Sequence, residues 1–284
     1  MKAAALLCLF SVLSAAPPLP AGWTEHYVLA NGIRIHYWRT GGDKPVLVLL
    51  HGSSDDALCW TNLAKEFTSA YDIILLDARG HGRSDPPSLS DPLDAQVEDL
   101  AAVLRQLKLV KPILMGHSMG SSAVAWFAAK YPSIPRAIVL EDPNFATTTP
   151  PTPASEQDKE KARASILELN NMSEEQIVAQ CLKLRPAWGL SECQYWAPSK
   201  RLHHPNTAMV ARTRPPVTEL FPKITCPTLI LKADAPASQR LENERIARLL
   251  SQGKIVHIDG AGHNVRREGK AQTIEVLRSF LQGL

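Results

Sequence analysis

The chain has 284 residues, 45% of them hydrophobic and 21% charged, and carries a formal net charge of +3. Such a composition fits one folded domain, or one domain with an insertion, and excludes a disordered or fibrous chain. The charge is small and evenly spread, and the basic clusters ARTRPP and VRREGK are short solvated surface, so no nucleic-acid partner is expected.

The amino end reads as a targeting segment. Lys2 precedes an apolar run over residues 3–13, and the small residues Ser14 and Ala16 stand at the minus-three and minus-one positions of a cleavage site. Residues 1–16 are therefore expected to be a removed signal peptide, and the product to be secreted or periplasmic. The run is shorter than the ~20 residues of a membrane-spanning helix, and no later segment is apolar enough to span. Cys8 leaves with this segment. Cys59, Cys181, Cys193 and Cys226 remain; Cys181 and Cys193 can pair in an oxidising compartment, with three connectivities open. No CxxC occurs, so neither a metal site nor a redox site is expected.

From residue 23 the pattern is EHYVLA, then Asn-Gly, then IRIHYWRT, which predicts an antiparallel hairpin closed by a tight turn. Short, almost continuously apolar runs follow at 45–50, 71–77, 112–116, 136–142, 227–234 and 254–260. Runs of this kind suit strands buried on both faces of a parallel sheet. Helical stretches at 57–67, 92–107, 119–130 and 241–251 separate them. The alternation predicts an α/β fold with a doubly wound, mostly parallel sheet. About 80 residues between LEDPNF and CPTLIL break the rhythm, too many for an ordinary loop. They open with the Pro/Thr/Ser-rich ATTTPPTPAS and continue as amphipathic helices. Residues 146–224 are thus expected to form an inserted helical cap, with 23–145 and 225–284 as the core.

Gly116-His117-Ser118-Met119-Gly120 fits G-x-S-x-G, a strained strand-to-helix turn that exposes a serine at the carboxyl edge of a sheet. A serine hydroxyl needs a base and a charge sink to act as a nucleophile. In VLLHGSSD, the loop after the apolar run at 45–50 places the N–H of Ser53 where it can converge with that of Met119 on a developing oxyanion. His263, in the Gly-rich loop IDGAGHNVRRE after the last strand, is the best placed base. His81 reads as part of a surface turn, His117 points away from the elbow, and His203 and His204 lie in the cap.

LLHGSS, DARGHGRSD, GHSMG, LEDP and GAGH, in this order, resemble the α/β-hydrolase superfamily across nearly the whole chain from residue 23. The resemblance implies Ser118 as nucleophile, His263 as base, and Ser53 and Met119 as oxyanion-hole residues. Members with aspartate at the elbow are haloalkane dehalogenases and epoxide hydrolases, and Ser118 argues against both. Most relatives carry the acid that orients the histidine in the loop after the strand following the cap. That loop here reads LKADAPAS, with Asp234 close to the strand. Other members, certain lactone hydrolases among them, place it at the end of the strand before the cap, where Asp142 stands. Asp142 is the favoured acid and Asp234 the alternative; strand alternation turns Glu141 away.

Trp188, Tyr195 and Trp196 in the cap, with Trp60 after the oxyanion loop, are expected to line an apolar pocket for a small-molecule substrate. The expected activity is hydrolysis of an ester-type bond through an acyl-enzyme, with no cofactor. A lactonase, a carbon-carbon bond hydrolase or a cofactor-free perhydrolase would use the same residues. An inactive, binding-only member of the fold is the reading from another class. Oligomeric state is not legible in this sequence.

Overall fold

The structure is a computed structural model, and it describes residues 17–148, 154–210 and 213–284. The expected signal peptide, 1–16, lies outside the described residues. Eight strands form one sheet in the order β1-β2-β4-β3-β5-β6-β7-β8. They are β1 (Thr24–Ala30), β2 (Ile33–Arg39), β3 (Val46–Leu50), β4 (Asp72–Leu76), β5 (Ile113–His117), β6 (Ala137–Glu141), β7 (Thr228–Lys232) and β8 (Gly253–His257). The expected hairpin is present: Ala30 pairs with Ile33 across Asn31 and Gly32, both at positive φ, as the turn of a twisted two-residue hairpin requires. From β4 onward every pairing is parallel.

Side-chain alternation along the central strands divides the core in two. Val48, Leu50, Ile74, Leu114, Ile138 and Ile230 face one layer, which includes α1 (Ala95–Gln106) and α2 (Met119–Lys130), counting only the longer helices. Leu47, Leu49, Ile73, Met115, Val139 and Leu229 face the other, under residues 57–67 and the carboxyl-terminal helix. Between β6 and β7 come α3 (Glu156–Asn170), α4 (Glu174–Leu184) and α5 (Gly189–Arg201). After β7 follow α6 (Ala237–Ala247) and, beyond β8, α7 (Lys270–Gln282). Neither α5 nor α7 is among the helices expected from sequence.

The segment between β6 and β7 has its own small core, in which Ile177, Val178, Trp188, Trp196 and Ala197 pack around a Cys181–Cys193 disulfide. Cys59 and Cys226 are free and buried. No helix among the described residues is long and apolar enough to cross a membrane. Because β3, β5, β6 and β7 run parallel, their carboxyl ends open on one edge, where α/β sheets gather ligands.

Candidate active site

Ser118 sits between β5 and α2 with φ 50 and ψ −106, a conformation that side chains other than glycine rarely adopt. The turn is pinned on both sides. The Ser118 N–H donates to the Glu141 carbonyl of β6 at 3.0 Å, and the Ser118 carbonyl accepts from Ser121 Oγ at 2.7 Å. Both flanking glycines are required by close approach: a Cβ on Gly116 would lie 2.3 Å from the Gly120 carbonyl, and one on Gly120 would lie 2.3 Å from the Leu50 carbonyl oxygen. The strand end, the elbow and the start of α2 therefore touch backbone to backbone.

The loop after β3 approaches the same edge. Gly52 accepts hydrogen bonds on its carbonyl from His51 Nδ1 at 2.7 Å and from the Asp55 N–H at 3.1 Å. In a trans peptide the N–H points opposite to the carbonyl, so these bonds fix the direction of the Ser53 N–H. Ser53, Ser118, Met119, Asp142 and His263 all line one cavity of about 860 Å³.

His263 Nδ1 donates to Asp142 Oδ2 at 2.5 Å, which leaves Nε2 with the lone pair of the neutral ring. Asp142 Oδ1 is held separately by Lys232 Nζ at 2.6 Å and the Ala233 N–H at 3.2 Å. Burial alone would raise the Asp142 carboxyl, but the bond from His263 and the Lys232 charge hold it at about 2. The bond to Asp142 raises His263 above its ordinary value, against burial and the Lys232 charge, which lower it. Asp234 does not meet His263. Its carboxylate pairs with Arg240 and accepts the Gly260 N–H at 2.8 Å, which ties the loop after β7 to the loop after β8. Glu141, as alternation requires, lies on the opposite side, completely buried against Arg266.

None of the four aromatic residues expected to line the pocket is on the wall of this cavity. Trp60 is fully buried with the Arg266 guanidinium 3.9 Å over its ring and does not reach this cavity. Trp188 and Trp196 meet edge to face at 5.9 Å inside the core of the segment between β6 and β7. Tyr195 faces a different groove, beside Trp38 and Leu58. Trp188 and Trp196 instead pack beside the disulfide and against two buried cations, Arg267 and Lys200. The cavity wall mixes Leu93, Phe145 and Val210 with Arg79, Asn144 and Arg214.

Two histidines behave differently from their sequence reading. His81 is buried, not on a surface turn, and stacks 4.5 Å from His203 at the cavity wall. His117 does turn away from the cavity, but its Nε2 donates to the His263 carbonyl at 3.0 Å, so the elbow carries a support for the loop of His263. Burial drives His117 down to about 4, so at neutral pH the ring is uncharged and the bond from Nε2 selects its tautomer. Its place beside Ser118 in the motif is the only sequence signal of this role. Among the described residues no group of three or more His, Cys, Asp or Glu is arranged to hold a metal ion.

A parallel sheet with a strained serine elbow and a histidine–carboxylate pair at its carboxyl edge defines the architecture of the α/β hydrolases. The profile of the alpha/beta hydrolase family matches residues 47–275, and the chain belongs to that family. Epoxide hydrolase 1 of Caenorhabditis elegans is 34% identical over 122 residues, 42% of this chain and 30% of that protein. N-formylmaleamate deformylase of Pseudomonas putida is 36% identical over 118 residues, 41% of this chain and 44% of that protein. The matched stretches thus span less than half of either relative. A malate-bound thermophilic esterase from Thermogutta terrifontis superposes with a TM-score of 0.68 at 25% identity, covering 92% of this chain and 98% of that one. The N-formylmaleamic acid deformylase of Pseudomonas putida S16 superposes at 0.73 with 21% identity, covering 89% and 100%, a likeness of fold.

Proposed function

We propose that this hydrolase is a serine enzyme that cleaves an ester-type bond of a small substrate through an acyl-enzyme. Ser118 Oγ attacks the carbonyl carbon while His263 Nε2 takes its proton. The N–H groups of Ser53 and Met119 receive the oxyanion, and Asp142 stabilises the imidazolium. The tetrahedral species collapses, the leaving oxygen takes the proton from His263, and water then attacks the acyl group with His263 as base.

The observation that carries this reading is the 2.5 Å contact between His263 and Asp142 on the cavity that Ser118 also lines. The relatives named epoxide hydrolases do not redirect it, since the family resemblance gives those enzymes an aspartate where this chain has Ser118. A cyclic ester is the second substrate form favoured, because the acid stands at the end of β6, as in certain lactone hydrolases. The mixed cavity wall fits a compact substrate with polar groups beside its carbonyl, in place of a purely apolar one. Residues 146–224 act as a cap over this cavity in the same proposal, and Val210 and Arg214 contribute to its wall. Export belongs to it as well, supported by the Cys181–Cys193 disulfide, which persists in oxidising compartments.

The test is hydrolysis of p-nitrophenyl esters of increasing acyl length, beside Ser118→Ala. Turnover that disappears in the alanine variant supports the reading. A wild-type protein inert on every ester and unreactive towards a fluorophosphonate would sink it and leave a binding role.

A further inference from the structure

We propose that Lys200, with Ser199, is a positioning residue for the oxyanion loop, so that the helix above the site sets the direction of the Ser53 N–H. The proposal rests on the serine-hydrolase reading. Lys200 is on α5 and only 2% exposed. Its Nζ donates to the Ser54 carbonyl and, at 3.0 Å, to Ser54 Oγ. Ser199 Oγ shares its one hydrogen between the Trp196 carbonyl at 2.7 Å and this same Ser54 carbonyl at 3.1 Å. Two consecutive residues of α5 therefore reach one peptide of the loop, Lys200 as its main donor and Ser199 as a shared one.

Ser54 needs that grip. It holds φ 62 without being glycine, a backbone state that relaxes unless neighbours hold it. Next in the chain, Asp55 is fixed by Arg267 at 3.0 Å and by Lys200 at 3.5 Å, and its N–H closes the turn onto the Gly52 carbonyl. The Gly52 carbonyl and the Ser53 N–H share one peptide plane. A connected path thus runs from Lys200 through Ser54 and Asp55 to the plane that carries the oxyanion donor. Release of Lys200 frees the Ser54 peptide to rotate, and the donor moves off its target while the rest of the cavity wall, to which Lys200 and Ser199 do not contribute, stays in place.

A role confined to joining α5 to the core would lower stability without changing how the folded protein treats charge on the substrate oxygen. The experiment therefore compares wild type, Lys200→Met and Ser199→Ala for phosphonylation rate by a fluorophosphonate, for kcat and KM on a reactive ester, and for affinity towards a boronic acid, whose serine adduct carries a negative tetrahedral centre. Loss of one oxyanion donor costs about 100- to 1000-fold in kcat. A displaced donor is expected to cost Lys200→Met roughly 10- to 100-fold in kcat, in phosphonylation and in boronate affinity, with KM within about twofold. Ser199→Ala should show a smaller loss of the same pattern, and it decides the matter if Lys200→Met does not fold. Folded variants with wild-type kcat and boronate affinity would overturn the proposal, as would losses confined to KM or to melting temperature. A wild-type protein inert to both the ester and the fluorophosphonate would instead remove the serine-hydrolase reading beneath it.

Discussion

The carboxylate of Asp142 is shared between the His263 imidazole and the Lys232 cation, and in the proposed mechanism that sharing sets the pH behaviour of the site. His263 bonds Oδ2 and Lys232 bonds Oδ1. His263 must be neutral to take a proton, and its bond to Asp142 raises it above the ordinary histidine value near 6.5. Activity is therefore expected to rise with pH along a limb centred above 6.5. Stability takes the opposite sign: a base whose folded value is raised contributes fully below its unfolded value, and the contribution fades as pH rises through the folded one. In Asp142→Asn the carboxylate support is gone, so the limb moves down and turnover falls by about 10³- to 10⁴-fold, through loss of the correct tautomer. Asp234→Asn should keep the limb and nearly all of the turnover, because Asp234 holds Arg240 and the Gly260 N–H and not His263. Initial rates of the two variants between pH 5 and 9 check this, and a larger loss for Asp234→Asn would return the acid to the loop after β7.

Strands and helices in this chain differ in how far local sequence dictates them. The central strands follow from unbroken apolar runs, because a strand covered on both faces has no polar position to interrupt it. The elbow was legible for a related reason: only glycine fits at 116 and 120, so the motif carries the geometry in its residue types. By contrast, α5 contains Pro198, and its buried side mixes Ser199 and Lys200 with Cys193, Trp196 and Ala197, so residue polarity does not mark which face is covered. In α7 a stripe of Ile274, Leu277 and Leu281 does face the core, a helical spacing present in the sequence but not read from it. What joins α4 to α5 is the Cys181–Cys193 disulfide, 12 residues apart. A closed loop of this size contributes about 2–4 kcal/mol. Reduction, or a Cys181→Ser/Cys193→Ser double variant, should lower the melting temperature by about 5–10 °C if the chain unfolds as one unit. An unchanged transition with both thiols shown by mass to be reduced would mean that aromatic packing alone holds this segment.

At the scale of the molecule, one buried ionic network touches every part of the candidate site. Asp55 lies two residues after Ser53, Glu141 precedes Asp142, Arg266 and Arg267 follow His263, and Lys200 and Glu192 come from α5. Their ion pairs join three cations to three carboxylates, so the charge balances, with only Glu192 partly open to water. Pairings across 75 to 212 residues leave no local pattern, which is why the sequence assigned Trp60, Trp188 and Trp196 to the substrate when they pack against these cations. The catalytic candidates were readable because each sits in a short motif; the scaffold between them was not. Burial would raise Asp55, but Arg267, Lys200 and Arg266 hold it far below the usual carboxylate range. A depressed carboxylate contributes stability above its unfolded value near 3.9, and that contribution is lost only as pH falls towards the folded value. Asp55→Asn keeps the shape but leaves three buried cations facing two carboxylates, so it should lose about 3–5 kcal/mol. The exposed pair Glu242 and Arg245 gives the contrast, and Glu242→Gln should change stability little. Urea unfolding at pH 7 compares the two. Equal midpoints would mean that water or backbone relaxation compensates the buried cations, and the network would then be a consequence of the fold and not one of its supports.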